Sequence, residues 1–141
     1  MANYACDVCG FKLWLPISQL RRSALGLYDD ARFPGRCILT LTSHEEQLED
    51  LDSETAAAFM EDARDAARAI ARATDSPRVN YAVLGNTEPH LHWHLIPRFP
   101  DREPLPSRPP WEHPERASPL GIGVVSDLSE RIAAELAPSQ A

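Results

Sequence analysis

Between His90 and Ile96 the chain alternates strictly, His-Leu-His-Trp-His-Leu-Ile. A period of two belongs to a β-strand, so His90, His92 and His94 are predicted to share one face, with Leu91, Trp93 and Leu95 in the core on the other. The strand is expected over 91–98. Apolar runs at 23–28 and 36–41 predict two more strands, joined across Asp29-Asp30-Ala31-Arg32 and Pro34-Gly35. A further strand is expected over 78–84, with Gly85-Asn86-Thr87-Glu88-Pro89 as the turn into the histidine strand. The period changes to 3.6 after Asp52 or Ser53, either of which can cap a helix. Ala56, Phe59, Met60, Ala63, Ala67 and Ile70 form its apolar face, and Pro77 closes the region. A helical turn is expected from Pro16, and a short C-terminal helix capped by Ser126 with Leu128, Ile132 and Leu136 on its buried side. Residues 97–119 hold eight of the 13 prolines and show no period, so they read as an irregular extended segment. The predicted organisation is α+β, with a core over 1–100. A proline-rich extension and C-terminal helix, 101–141, pack on the same domain.

A length of 141 residues fits one domain, and 43% hydrophobic residues can build a core without disulfides. The net charge of −7 excludes a general binder of nucleic acid or anionic membranes, since such a surface repels phosphate backbones. A small phosphorylated ligand remains open where a local pocket supplies positive groups. The first residues lack a signal-peptide pattern and no long apolar run follows, so a cytoplasmic location is expected. In that compartment the three cysteines are thiols or metal ligands rather than a disulfide framework. Arg64, Arg68 and Arg72 lie four apart; a solvated helix face paired with Glu61 and Asp65 is preferred over a ligand stripe. Trp111 suits either base stacking or anchoring of the proline-rich segment, and His113 alone supports no role.

Histidine is scarce here, yet three of the five fall within five residues. Such a cluster can attack an electrophile, bind a metal or hold a phosphate. Cys6-Asp7-Val8-Cys9 is the second constellation. Alone, C-x-x-C is compatible with redox chemistry, metal binding or accident. Zinc needs four ligands, and His44, just past a predicted strand, and His90, first in the ladder, complete a Cys₂His₂ set if the strands pair as hairpins. Cys37 lies within an apolar strand and reads as core.

Taken together these residues resemble the histidine triad (HIT) superfamily, whose signature is His-x-His-x-His followed by two apolar residues, here His90 to Ile96. The likeness extends to Pro34-Gly35 at a strand entry, to His44 ahead of an acidic, leucine-containing segment, to the amphipathic helix, to Asn80 and Leu84-Gly85-Asn86, and to Ile96-Pro97-Arg98, covering about residues 4–100. The resemblance implies an antiparallel sheet of about five strands with one main helix, in a homodimer. It implies an enzyme, a nucleotide phosphohydrolase or nucleotidyltransferase of the kind that cleaves dinucleoside polyphosphates or phosphoramidates at the α-phosphorus. His92 would be the nucleophile that carries a nucleotidyl intermediate, and His94 a donor to a phosphate oxygen. Asn80, Asn86 and Thr87 would contact phosphate or leaving group, and Asp29 the ribose hydroxyls. In several branches, including the galactose-1-phosphate uridylyltransferases, structural zinc is bound by a set that here corresponds to Cys6, Cys9, His44 and His90.

Two other classes compete. One is a zinc-binding module without catalysis, and the other a metal-dependent enzyme of the cupin type, which also uses His-x-His. The alanine-rich helix after Asp52 argues against an all-β barrel.

Overall fold

The computed structural model describes residues 4–140, with side chains as far as Leu136. Its five strands are β1 (Leu15–Gln19), β2 (Ser23–Leu27), β3 (Cys37–Leu41), β4 (Arg78–Ala82) and β5 (His92–Arg98); the helices are α1 (Ser53–Thr74) and α2 (Ile122–Gln140). The strands make one sheet in the order β1-β2-β3-β5-β4, every neighbouring pair antiparallel. This is the α+β architecture with about five strands, and two helices complete it.

Strand register decides which residues share a face. Thr40 pairs with His92 and Ile38 with His94, while Leu39 pairs with Trp93 and Cys37 with Leu95. Leu25, Leu27, Leu39, Leu41 and Leu95 therefore point together into a core closed by Phe59, Ala63, Ala66 and Ile70 of α1 and Leu128, Ile132 and Leu136 of α2. The opposite face carries His92 and His94, and it is covered by residues 4–14. Leu13 of that segment packs with Ala24 and Ile38. Such close packing needs Gly26: a Cβ there would come 2.9 Å from the Cβ of Leu13. Both faces of β2 and β3 are thus buried, which accounts for their continuous rather than alternating hydrophobicity.

Asp52 caps α1, its side chain accepting from Thr55 N–H at 2.7 Å, and Asp75 ends it in the left-handed region at φ 55°. Asp62 on the same helix is buried. It accepts from the Arg21 and Arg22 N–H groups (3.1 and 2.8 Å) and from Ser23 Oγ (2.7 Å), fastening the β1–β2 turn to the helix.

Three expectations are corrected. Pro16 begins no helical turn but lies in β1, at the sheet edge beside an irregularity between Pro16 and Ser18, where a missing N–H removes no ladder bond. Ser126 is not the cap of the last helix, since α2 starts at Ile122 and its first turn is closed by Val125 N–H to Gly121 C=O at 3.0 Å. Ile122, 92% exposed, turns an apolar side chain to solvent there, which hides the helical period. Met60, expected in the core, is 52% exposed at the margin of the buried stripe. Asp65 does pair with Arg68 at 3.2 Å, whereas Glu61 reaches across to Arg21 at 3.4 Å. No helix among the described residues is long and apolar enough to cross a membrane.

After β5 the proline-rich segment is clamped by a buried ion pair that sequence reasoning missed. Arg98 Nε lies 2.9 and 3.1 Å from the two Glu103 oxygens, and Glu103 also accepts from Phe99 N–H at 2.6 Å. Trp111 therefore anchors little: it is 61% exposed on a groove with Arg78, Arg98 and Pro106.

Candidate active site

The N-terminal hairpin brings the first cluster together. Gly10, at φ 79°, lets the chain reverse after Cys9, and the turn is closed by Gly10 N–H to Cys6 C=O and Cys6 N–H to Phe11 C=O, both 2.8 Å. Both sulfurs then face the end of β3 and the start of β5. Cys6 Sγ lies 3.5 Å from His44 Nδ1, and Cys9 Sγ 3.5 Å from His90 Nδ1. All four ligand atoms fall within 4.8 Å of one another. A tetrahedral zinc, with Zn–S near 2.3 Å and Zn–N near 2.0–2.1 Å, separates sulfur from nitrogen by about 3.5–3.6 Å. The four residues therefore form a group able to hold a metal ion, with spacing that suits zinc.

The surroundings prepare these ligands. His90 is fully buried, and its Nε2 lies 2.8 Å from the Leu41 carbonyl, which can only accept. The proton must sit on Nε2, so Nδ1 offers its lone pair to the cluster. Burial lowers the His90 pKa and keeps the ring neutral, against the opposing pull of that carbonyl. The Cys6 thiol is lowered to about 7, chiefly by the Cys9 N–H directed at its sulfur. Cys37, by contrast, is wholly buried and its thiol is pushed far up by desolvation, as expected of a core residue.

One rung along the sheet stands His92, 5% exposed. Its Nδ1 lies 2.5 Å from the His90 carbonyl, so that nitrogen carries the proton and Nε2 keeps a free lone pair. Phe11 stacks on both rings, at 5.1 Å from His92 and 5.3 Å from His90, with interplanar angles of 23° and 9°. His94 follows with its ring 4.9 Å from His92. Its pKa falls to about 4, first through burial and then through the nearness of His92 and the Arg36 guanidinium.

His92 and His94 line a cavity of about 500 Å³. One wall includes Phe11, Lys12 and Trp14 of the N-terminal segment; another includes Leu84, Asn86, Thr87 and Glu88 from the turn before the triad, and Tyr28 and Ile38 line the floor. Two apolar walls and a polar turn suit a flat, partly apolar ligand with an anionic group near the histidines.

The candidate residues divide accordingly. His92, His94, Asn86 and Thr87 meet in the cavity, while Cys6, Cys9, His44 and His90 meet beside it. Asn80 is elsewhere. It shares the triad face but pairs with Ile96, two residues along the strand from the pair Ala82 and His94, and Arg98 holds its Oδ1 at 2.7 Å. Asp29 adjoins Tyr28 but does not line the cavity, and its Oδ1 accepts from Leu120 N–H at 2.8 Å, tying down the chain ahead of α2. Sequence reasoning overlooked Phe11, Lys12 and Trp14, since no period marks a segment that lies across a sheet. It also overlooked Arg36, although a charge immediately ahead of an apolar strand was a readable signal.

Known proteins share this fold. The family model described as the HIT domain matches residues 17–101. A histidine triad protein of Bradyrhizobium japonicum superposes with a TM-score of 0.79 at 25% identity, covering 86% of this chain and 90% of that one. A histidine triad protein of Sinorhizobium meliloti gives 0.78 at 25% identity, over 86% and 89%. A zinc-bound histidine triad family protein of Mycobacterium smegmatis gives 0.63 at 19% identity, over 88% and 84%. No curated protein matches the chain. With the family model spanning more than half of its length, and covering His90 just before β5 with His92 and His94 on it, this chain belongs to the HIT domain family.

Proposed function

We propose that the protein transfers a nucleotidyl group through His92, as a nucleotide phosphohydrolase or nucleotidyltransferase. The observation that carries this reading is the His92 tautomer. The Nδ1–H donates to the His90 carbonyl, so the Nε2 lone pair is the one presented at the cavity. In the first step Nε2 forms a bond to the α-phosphorus while the bond to the leaving group breaks, the electron pair departing with that group, which takes a proton from solvent where it leaves as an amine. In the second step water or another acceptor attacks phosphorus, the P–N bond breaks, its electrons return to Nε2, and the acceptor's proton goes to solvent. His94 donates a hydrogen bond to a non-bridging oxygen, and Asn86 and Thr87 contact phosphate or leaving group. Dinucleoside polyphosphates and nucleoside phosphoramidates, whose leaving groups are activated at the α-phosphorus, are the substrate class.

Cys6, Cys9, His44 and His90 hold zinc in this reading. Bound there by all four side chains, the ion would supply a structural tie between the hairpin and the segments after β3 and before β5. The protein works as a homodimer in the cytoplasm. The free β4 edge supports the dimer: Tyr81, 59% exposed, lines a groove with Met60, Trp93 and Arg64 of the neighbouring helix and strand.

The test is rapid quenching with a fluorogenic adenylate derivative followed by intact-mass analysis. The wild type acquires one nucleotidyl group on His92, and His92→Ala folds but loses turnover by several orders of magnitude. Near-wild-type turnover in His92→Ala would overturn the assignment of the nucleophile, whereas a folded wild type that turns over none of these nucleotides would favour a metal-binding module without catalysis.

A further inference from the structure

We infer that Arg36, held by the buried carboxylate of Asp30, is a positioning residue that fixes the tautomer and ring orientation of His94. The inference rests on the nucleotidyl-transfer reading above and assigns a residue beyond the triad. Arg36 Nη2 lies 3.3 Å from His94 Nδ1, and Nη1 lies 3.0 Å from Asp30 Oδ2. The guanidinium is stacked on the Tyr28 ring, 4.0 Å from its centroid. Asp30 is fully buried and also receives the Arg32 side chain, at 3.0 and 2.8 Å, so the anchor has little freedom.

The chemistry follows from what each partner can do. A guanidinium has donors and no acceptor. The contact therefore requires the lone pair at His94 Nδ1, which places the proton of the neutral ring on Nε2. The neighbouring rung has the opposite arrangement, because the partner of His92 is a carbonyl that only accepts. One imidazole thus offers the cavity a lone pair and the next offers it a proton, a nucleophile beside a hydrogen-bond donor. Without Arg36 the His94 ring is free to turn over or to take the other tautomer, and a lone pair would then face an anionic phosphate.

Arg36 is also poorly explained as a packing element. Among the described residues its Nε is one of only three buried side-chain polar atoms without a hydrogen-bond partner. A residue present only to neutralise Asp30 duplicates Arg32, which already makes a two-point contact with that carboxylate.

Long-range ¹H–¹⁵N correlation spectra of protein labelled at histidine nitrogen read the tautomer directly. In the wild type at pH 7, His94 is expected wholly as the Nε2–H form and His92 as the Nδ1–H form. In Arg36→Met, His94 moves to a mixture. kcat then falls about tenfold, less than the roughly 10²–10³-fold expected on removing a charge-stabilising donor outright, while KM changes little. An Nδ1–H or doubly protonated His94 in the wild type would overturn the inference, and so would an unchanged His94 signal in folded Arg36→Met. The wild-type spectrum decides the matter even if the variant does not fold. The two readings fail separately: the expected tautomers without an adduct on His92 would sink nucleotidyl transfer, whereas an adduct with the wrong His94 tautomer would sink the role of Arg36.

Discussion

Replacing Phe11 with alanine tests whether the N-terminal hairpin holds the nucleophile. Its ring stacks on His92 and His90 at 5.1 and 5.3 Å, while its carbonyl accepts from Cys6 in the hairpin turn. Aromatic pairs contribute about 0.5–1.5 kcal/mol each, so two stacks carry about 1–3 kcal/mol. Truncating a fully buried phenylalanine costs about 3–5 kcal/mol, and a half-buried ring about half of that. The two routes agree on about 2 kcal/mol for Phe11→Ala, read from urea denaturation midpoints. Phe11→Leu keeps most of the apolar area and loses the stacking, so it should fall between alanine and wild type. Released from its stack, His92 samples off-line orientations, and kcat should drop about tenfold, equivalent to about 1.4 kcal/mol. A stability change below about 0.5 kcal/mol, the range of ordinary surface substitutions, would refute the packing argument. Lost stability with unchanged kcat would refute the claim that the stack orients His92.

Elemental analysis of protein purified without chelator should find about one zinc per chain. Cys9→Ser should lose it and melt at a lower temperature, since a closed site contributes to folding; absence of stoichiometric metal in the wild type would count against the site. The depressed pKa of His94 makes stability depend on pH with a definite sign. The unfolded chain binds a proton near pH 6.5 and the folded protein only near 4, so the contribution is complete above about 6.5 and is lost as pH falls through 4. His94→Gln should flatten the stability profile within that window, and an equal slope in both proteins would contradict the burial argument. Tyr81→Asp on the exposed β4 edge should shift the mass measured by light scattering from dimer to monomer; an unaltered dimer would place the interface elsewhere.

Local pattern alone determined a good part of this protein. Alternation from His90 to Ile96 placed three imidazoles on one face and Leu91 and Leu95 in the core, because a strand has a period of two whatever surrounds it. The helix after Asp52 was legible for the same reason, as was the pairing of C-x-x-C with two histidines, since zinc chemistry demands four donors of few kinds. What depended on distant partners was hidden. Pro16 reads as a helix start until an edge strand makes its missing N–H harmless, and Ile122 obscures its own helix by facing solvent. The bond from Arg98 to the amide oxygen of Asn80, 18 residues away, is also a contact that no local pattern announces. Tertiary structure likewise decided the protonation of the site. No local pattern says that a carbonyl meets His92 while a guanidinium meets His94, since sheet register and the turn carrying Asp30 and Arg36 bring those partners into place. The residue types were therefore written locally, but the tautomers that set their chemistry come from contacts made only when the chain closes on itself.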